Sequence, residues 1–299
     1  MAIKKSIISW GLVGILIIGT VTLAAAADTV TFQGTTKTKV GDLVMLTGKL
    51  TKPQGDGPFP AIVMLHGCRG IDKAQDAWAE RFASWGYVAL QVNSLAPRGE
   101  KDICATPFII PFPTRVQDAY DSKAYLAGLP FVDRNRIAVA GWSHGGALTI
   151  ASVSSRNYSA WAALNMAYFA RKPEAPFQAA VAFYPWICVA QLNDSEAPLI
   201  ILTGEVDVVA PVAFLKSNMP SEKTTHEVIL KVYPGAYHTF DSEGTDVKTP
   251  SGVRYKYDPS AAADAIVQVK EFLAKHLKQT KTSAFLEESM KWIFQKMPI

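Results

Sequence analysis

Six short, predominantly apolar runs separated by stretches of helical periodicity constrain this chain more than any other feature: Ala61–Leu65, Tyr87–Val92, Ile137–Ala140, Ala179–Phe183, Leu199–Leu202 and Val228–Val232. A strand that is apolar along its whole length is buried on both faces, as the strands of a parallel sheet are. Between or after most of these runs lie Lys73–Ser84, Thr114–Leu129, Gly146–Ser154 and Ser260–Leu277, each with apolar residues at helical spacing. Strand alternating with helix predicts one α/β domain with a mostly parallel central sheet, and right-handed crossovers then place helices on both of its faces. Ahead of this pattern, Thr29–Lys37 and Asp42–Leu50 alternate in polarity and predict two early strands joined by a turn at Gly41. Neither a repeat nor a linker divides residues 28–278, which read as one unit. The net charge of +4, from 30 basic and 26 acidic residues, contains no run of five like charges. Nucleic acid is therefore not an expected partner.

The first 27 residues stand apart. Lys4 and Lys5 precede an apolar stretch from Ser6 to Leu23, and Ala24–Ala27 supplies small residues before Asp28. This is the pattern of a secretory signal cleaved after Ala27, which predicts an exported, periplasmic or secreted protein with no membrane contact after cleavage. An uncleaved anchor is the rival reading, because the stretch is about long enough to span a bilayer. Export bears on Cys68, Cys104 and Cys188, since an oxidising compartment permits one bridge and one remaining thiol. Cys68 with Cys104 is the preferred pair, as both fall in loops that follow neighbouring strands; three buried thiols is the alternative.

Two segments fall outside the alternation. Residues 157–176 carry Trp161, Met166, Tyr168 and Phe169 near the expected site, either as a cap over a pocket or as a surface helix packed by its aromatics. The tail, 279–299, places Phe285, Leu286, Met290, Trp292, Ile293 and Phe294 on an amphipathic helix. It packs onto the body or forms a dimer or membrane contact.

Gly141-Trp142-Ser143-His144-Gly145 follows one apolar run directly and opens a helical pattern. In that strand-turn-helix context G-x-S-x-G is a nucleophile elbow, a tight turn that lifts the serine oxygen clear of the sheet. The plainer reading makes Ser143 a helix cap. A serine hydroxyl is a poor nucleophile near neutral pH and needs a general base, itself oriented by a carboxylate. Of five histidines, His226 and His276 sit at a strand start and a charged helix end, His66 lies in an early turn, and His144 points away from its neighbour Ser143. His238 follows the last apolar run in a glycine-containing loop, where it reaches across the sheet edge. Asp207, in the loop after Leu199–Leu202, is the expected acid; Glu205 is its rival, and Asp241 is too near His238 in sequence to be preferred. The chain order Ser143, Asp207, His238 is that of α/β-hydrolases. The loop His66-Gly67-Cys68-Arg69-Gly70 has the glycines that let amides turn inward, so the backbone N–H groups of Cys68 and His144 are the expected oxyanion donors. Arg69, Arg98 and Trp142 are candidate substrate-binding residues, although each arginine serves equally as a loop-ordering residue.

Taken together, Leu65–Gly70, Ala96–Gly99, Gly141–Gly146, Ala182–Pro185, Gly204–Asp207, Tyr233–Asp241 and Tyr257–Asp264 make the chain resemble the dienelactone hydrolase family of α/β-hydrolases over roughly residues 40–278. The resemblance implies the α/β-hydrolase fold and hydrolysis of a small carboxylic ester or lactone through an acyl-enzyme, with no cofactor. One departure stands out: dienelactone hydrolases proper use a cysteine nucleophile assisted by a glutamate in the first oxyanion loop. Here the corresponding positions are Ser143 and Gly67. A serine depends on complete proton removal by its histidine, whereas a thiol ionises more readily. An oligopeptidase-like amide hydrolase and a non-catalytic binding protein on the same fold are the competing functions. A metal site built from His66, His144 and His238 lacks any helical His-x-x-x-His or cysteine-histidine spacing, so no metal is expected.

Overall fold

The computed structural model describes residues 27–38, 40–154, 176–186, 192–220 and 224–277. The export signal, the candidate cap up to residue 175, Cys188 and the 279–299 tail lie outside the described residues. Eight strands form the central sheet: β1 (Asp28–Lys37), β2 (Leu43–Thr51), β3 (Phe59–Leu65), β4 (Val88–Asn93), β5 (Val132–Trp142), β6 (Ala180–Phe183), β7 (Leu199–Gly204) and β8 (Val228–Tyr233). Their spatial order is β1-β2-β4-β3-β5-β6-β7-β8. The six apolar runs are the six parallel strands β3 to β8, and the two alternating segments are β1 and β2, which pair antiparallel at one edge.

Alternation of side chains along each strand divides the interior into two layers. Ala61, Val63 and Leu65 of β3 face the layer covered by α2 (Phe112–Ala127) and α3 (His144–Ser152), where Val116, Leu126, Leu148 and Ile150 pack. Ile62 and Met64 face the opposite layer, beneath α1 (Lys73–Ser84) and the last helix, where Trp78, Phe82, Val269 and Leu273 pack. Helices thus cover both faces of the sheet. The start of α1 is fixed by a capping box: Asp72 accepts from the Gln75 amide at 3.0 Å while the Gln75 side chain accepts from the Asp72 amide at 3.4 Å. Large and small residues interlock in the second layer, where Trp142 stacks on Phe183 at 5.1 Å beside Ala138 and Ala140. Two further helices, α4 (Val212–Ser217) and α5 (Pro259–Leu277), and a hairpin of β9 (Asp246–Lys248) with β10 (Arg254–Lys256) complete the described chain. No described helix is long and apolar enough to cross a membrane.

The parallel register brings strand ends together. Leu65 lies opposite Gly141, Trp142 opposite Phe183, and Gly204 opposite Tyr233. The loops that leave these residues therefore open onto one carboxyl edge, where ligands bind in open α/β sheets.

Candidate active site

The elbow is built by close approach of backbone to backbone. A Cβ at Gly141 would collide with the carbonyl of Gly145, and one at Gly145 with the carbonyl of Leu65, so only glycine admits the helix this near the sheet. Ser143 itself adopts φ 53° and ψ −114°, an unfavourable region for a residue with a side chain. The Ser143 amide donates to the Phe183 carbonyl at 3.0 Å, and its carbonyl accepts from the amides of Ala147 and Trp186, each at 3.0 Å. Its hydroxyl makes no capping bond to α3. The turn therefore presents the oxygen rather than using it.

His238 lies at 3.0 Å through Nε2 from Ser143 Oγ, and its Nδ1 is 2.6 Å from Asp207 Oδ2. Both His238 and Asp207 are buried. The other oxygen of Asp207 accepts from the amides of Val209 and Ala210 at 2.8 and 2.9 Å, which fixes the carboxylate on its loop. With Nδ1 donating to Asp207, Nε2 is left as an acceptor facing the serine hydroxyl. Glu205, the rival acid, is exposed and accepts from the Gly235 amide at 3.1 Å. The ring of His238 is flanked by Tyr184 at 4.5 Å and Tyr255 at 5.6 Å, and its carbonyl accepts from Lys256 of β10 at 3.2 Å.

Asp241 has a role that its sequence position concealed. Its carboxylate accepts from the indoles of Trp78 and Trp142 at 2.8 and 2.9 Å, and from the Tyr184 hydroxyl at 2.7 Å. Three donors on one carboxylate lock the elbow tryptophan and the tyrosine beside His238 into a single unit. Burial and the neighbouring Asp241 charge push the Tyr184 hydroxyl well above its ordinary pKa, so it remains a donor.

Cys68 and Cys104 are joined by a disulfide, and the Cys68 carbonyl accepts from the Ile103 amide at 2.9 Å. The His66–Gly70 loop is thus tied to the segment that follows β4. His144 is the first residue of α3, where an N–H has no partner within the helix, and neither its amide nor that of Cys68 donates to another described residue. Two such donors beside Ser143 can receive negative charge developing on a carbonyl oxygen. Reduction of the bridge is expected to lower the unfolding free energy by about 2–4 kcal/mol, given the 36-residue separation of the two cysteines. Urea titrations with and without a phosphine reductant measure this, and an unchanged midpoint would contradict it.

A cavity of about 270 Å³ opens at Ser143, walled by Gly67, Arg69, Tyr184, Trp186, Val247 and Tyr255. Arg69 stays at this wall, exposed, 6.0 Å over the Tyr255 ring and 3.9 Å from Asp102. Trp142 borders the cavity, but its ring is buried and its N–H is engaged by Asp241. Arg98 is not at the site, which corrects the sequence expectation. Its guanidinium grips Asp118 at 2.7 and 2.9 Å, and also donates to the Ser94 carbonyl and the Thr36 hydroxyl, all in the interior. Both members of this pair are almost inaccessible, at 5% and 0% side-chain exposure. Arg98→Met strands a buried carboxylate and should cost about 3–5 kcal/mol of stability. Chemical denaturation checks this; a loss below about 1 kcal/mol, the scale of an exposed pair, would refute it.

The three-histidine metal reading fails on geometry. The rings of His66 and His144 flank the guanidinium of Arg115, a cation that repels a metal ion, while His238 faces Ser143. Among the described residues, the one grouping close enough for a metal is Cys68, Asp102 and Cys104, and its two sulfurs form the disulfide.

Residues 46–277 match the family model described as the dienelactone hydrolase family. Esterase FrsA from Citrobacter koseri is 28% identical over 172 residues, 55% of this chain and 34% of the relative. Esterase FrsA from Escherichia coli K12 is 30% identical over 107 residues, 33% of this chain and 23% of the relative. The matched stretch therefore spans between about a quarter and a third of these relatives. Among solved structures, dienelactone hydrolase from Anabaena variabilis superposes with a TM-score of 0.59 at 17% identity, covering 85% of this chain and 100% of that one. Esterase 2 of Thermogutta terrifontis, phosphoramylated by tabun, gives 0.58 at 18% identity over 85% of this chain and 97% of that one. The α/β-hydrolase fold is common to them and this chain.

Proposed function

The chain belongs to the dienelactone hydrolase family, whose model spans residues 46–277, and from that membership we propose that it is an exported serine hydrolase cleaving small carboxylic esters or lactones. The observation that carries this reading is the unbroken line from Asp207 through His238 to Ser143, with contacts of 2.6 and 3.0 Å. His238 Nε2 removes the hydroxyl proton as Ser143 Oγ attacks the carbonyl carbon. Negative charge that develops on the carbonyl oxygen is received by the amides of Cys68 and His144, each such donor contributing about 3–4 kcal/mol in the transition state. Asp207 holds the imidazole in the required tautomer and stabilises the imidazolium. Collapse expels the alcohol, which takes the proton from His238, and leaves an acyl group on Ser143. Water, deprotonated by His238, then releases the acid and restores the serine. No cofactor enters this sequence.

A cavity of about 270 Å³ suits a small acyl or alcohol group rather than a long chain. Arg69 at the cavity wall is a candidate contact for a polar substituent. Export is supported by the lysine, apolar and alanine order of residues 1–27 and by the disulfide, a bond characteristic of oxidising compartments. A panel of p-nitrophenyl esters of increasing acyl length, simple lactones and chromogenic peptides tests the substrate class. Turnover highest on acetyl to butyryl esters is expected; preferential cleavage of peptides would replace this reading with an amidase.

A further inference from the structure

Beneath the elbow lies a buried cation that the proposed chemistry does not use. Arg115 of α2 is 1% exposed, and its two terminal nitrogens bridge the two segments that carry the oxyanion donors. Nη1 donates to His144 Nδ1 at 2.7 Å, and Nη2 donates to the His66 carbonyl at 2.8 Å, two residues before Cys68. The surroundings fix the protonation of both histidines. His66 Nε2 accepts from the Ser94 amide at 3.2 Å, so Nδ1 carries the ring proton and donates to the Gly67 carbonyl at 2.6 Å; Arg115 Nη2, 3.2 Å from that Nδ1, gives its hydrogen to the His66 carbonyl instead. His144 accepts from Arg115 at Nδ1 and therefore donates from Nε2 to the Pro107 carbonyl at 3.1 Å. Burial and the Arg115 charge lower its pKa to about 3, which keeps the ring neutral.

Arg115 forms no ion pair with a described carboxylate: the Asp118 charge acts on it from a distance, but that carboxylate is held by Arg98. A buried charge without a carboxylate of its own is expensive, and an apolar side chain of equal length would fill the space at lower cost. Burial brings Arg115 down to about 9, so it still carries its charge at neutral pH. What the guanidinium supplies is a rigid planar fork that holds two acceptors at fixed separation, together with a positive potential on the oxyanion side of Ser143. Lysine supplies the charge without the fork.

We propose that Arg115 is a positioning residue of the oxyanion pocket, clamping the His66–Cys68 loop to the start of α3 so that the Cys68 and His144 amides converge on one oxygen. This rests on the hydrolase reading above. The discriminating measurement compares a p-nitrophenyl oxoester with its thionoester, in which a larger sulfur, a weaker hydrogen-bond acceptor, replaces the oxygen that the amides receive. For Arg115→Met, kcat on the oxoester should fall about 10- to 100-fold with KM changed less than about threefold, and the oxoester-to-thionoester ratio of kcat/KM should fall at least about fivefold. Arg115→Lys should give an intermediate ratio. If circular dichroism shows that Arg115→Met does not fold, His144→Phe takes its place: it keeps a ring against Trp186, 5.4 Å away, and removes the Nδ1 acceptor. Equal losses on both esters in the folded variant, with the ratio unchanged, overturn the role of Arg115. A wild-type chain that hydrolyses no ester overturns the hydrolase reading beneath it.

Discussion

Ser143→Ala is expected to lower kcat on a p-nitrophenyl ester by about 10⁶-fold, the scale seen when a hydrolase nucleophile is removed. The size of the effect follows from the chemistry: without the oxygen, neither the acyl-enzyme nor the proton transfer to His238 exists, and only the oxyanion donors and substrate binding remain. The fold should be indifferent. Ser143 sits at φ 53°, which is as unfavourable for alanine as for serine, and its hydroxyl caps no amide of α3. Stability should therefore stay within about 0.5 kcal/mol of wild type. A variant that melts like wild type and loses turnover meets the expectation. One that retains more than a tenth of the activity contradicts it.

Asp207→Asn should cost about 10⁴-fold in kcat through an error of one proton. Asp207 Oδ1 already accepts from the amides of Val209 and Ala210, so the carboxamide of the variant will keep its oxygen there and turn its NH₂ toward His238. That NH₂ donates to Nδ1, which forces the proton onto Nε2, the nitrogen that lies 3.0 Å from Ser143 Oγ. A protonated Nε2 cannot accept from the serine. KM should change little, because Asp207 does not line the cavity. Steady-state kinetics separate the two constants, and a kcat loss under about tenfold would show that His238 is oriented by another group.

How far the sequence reveals this site depends on whether a residue's role is local. Ser143, His238 and Asp207 were readable because each follows a recognisable strand, and parallel strands carry their carboxyl ends to one edge. Apolar runs likewise identified β3 to β8, since burial on both faces leaves a compositional mark. Strand order left no such mark: pairing β2 with β4 depends on contacts between segments some forty residues apart. An arginine in a turn such as Arg98 reads alike whether it meets substrate or an interior carboxylate; its partner, Asp118, lies on α2. Arg115 is one polar position in a helical pattern and carries no local signal, although α2 lays that side of the helix against the elbow. Closeness in sequence to His238 argues against Asp241 as the acid, yet that closeness lets it hold Trp142 and Tyr184 around the imidazole. The β9–β10 hairpin has no sequence signature, because three-residue strands are too short to show alternation.

Covalent labelling tests most directly whether Ser143 is an activated nucleophile. Wild-type protein treated with a fluorophosphonate, digested and mapped by mass spectrometry should carry one adduct, on the peptide containing Gly141-Trp142-Ser143-His144-Gly145, and lose esterase activity in proportion to labelling. Esterase activity that survives with Ser143 unmodified, or an adduct on another residue that accounts for the inactivation, would contradict it.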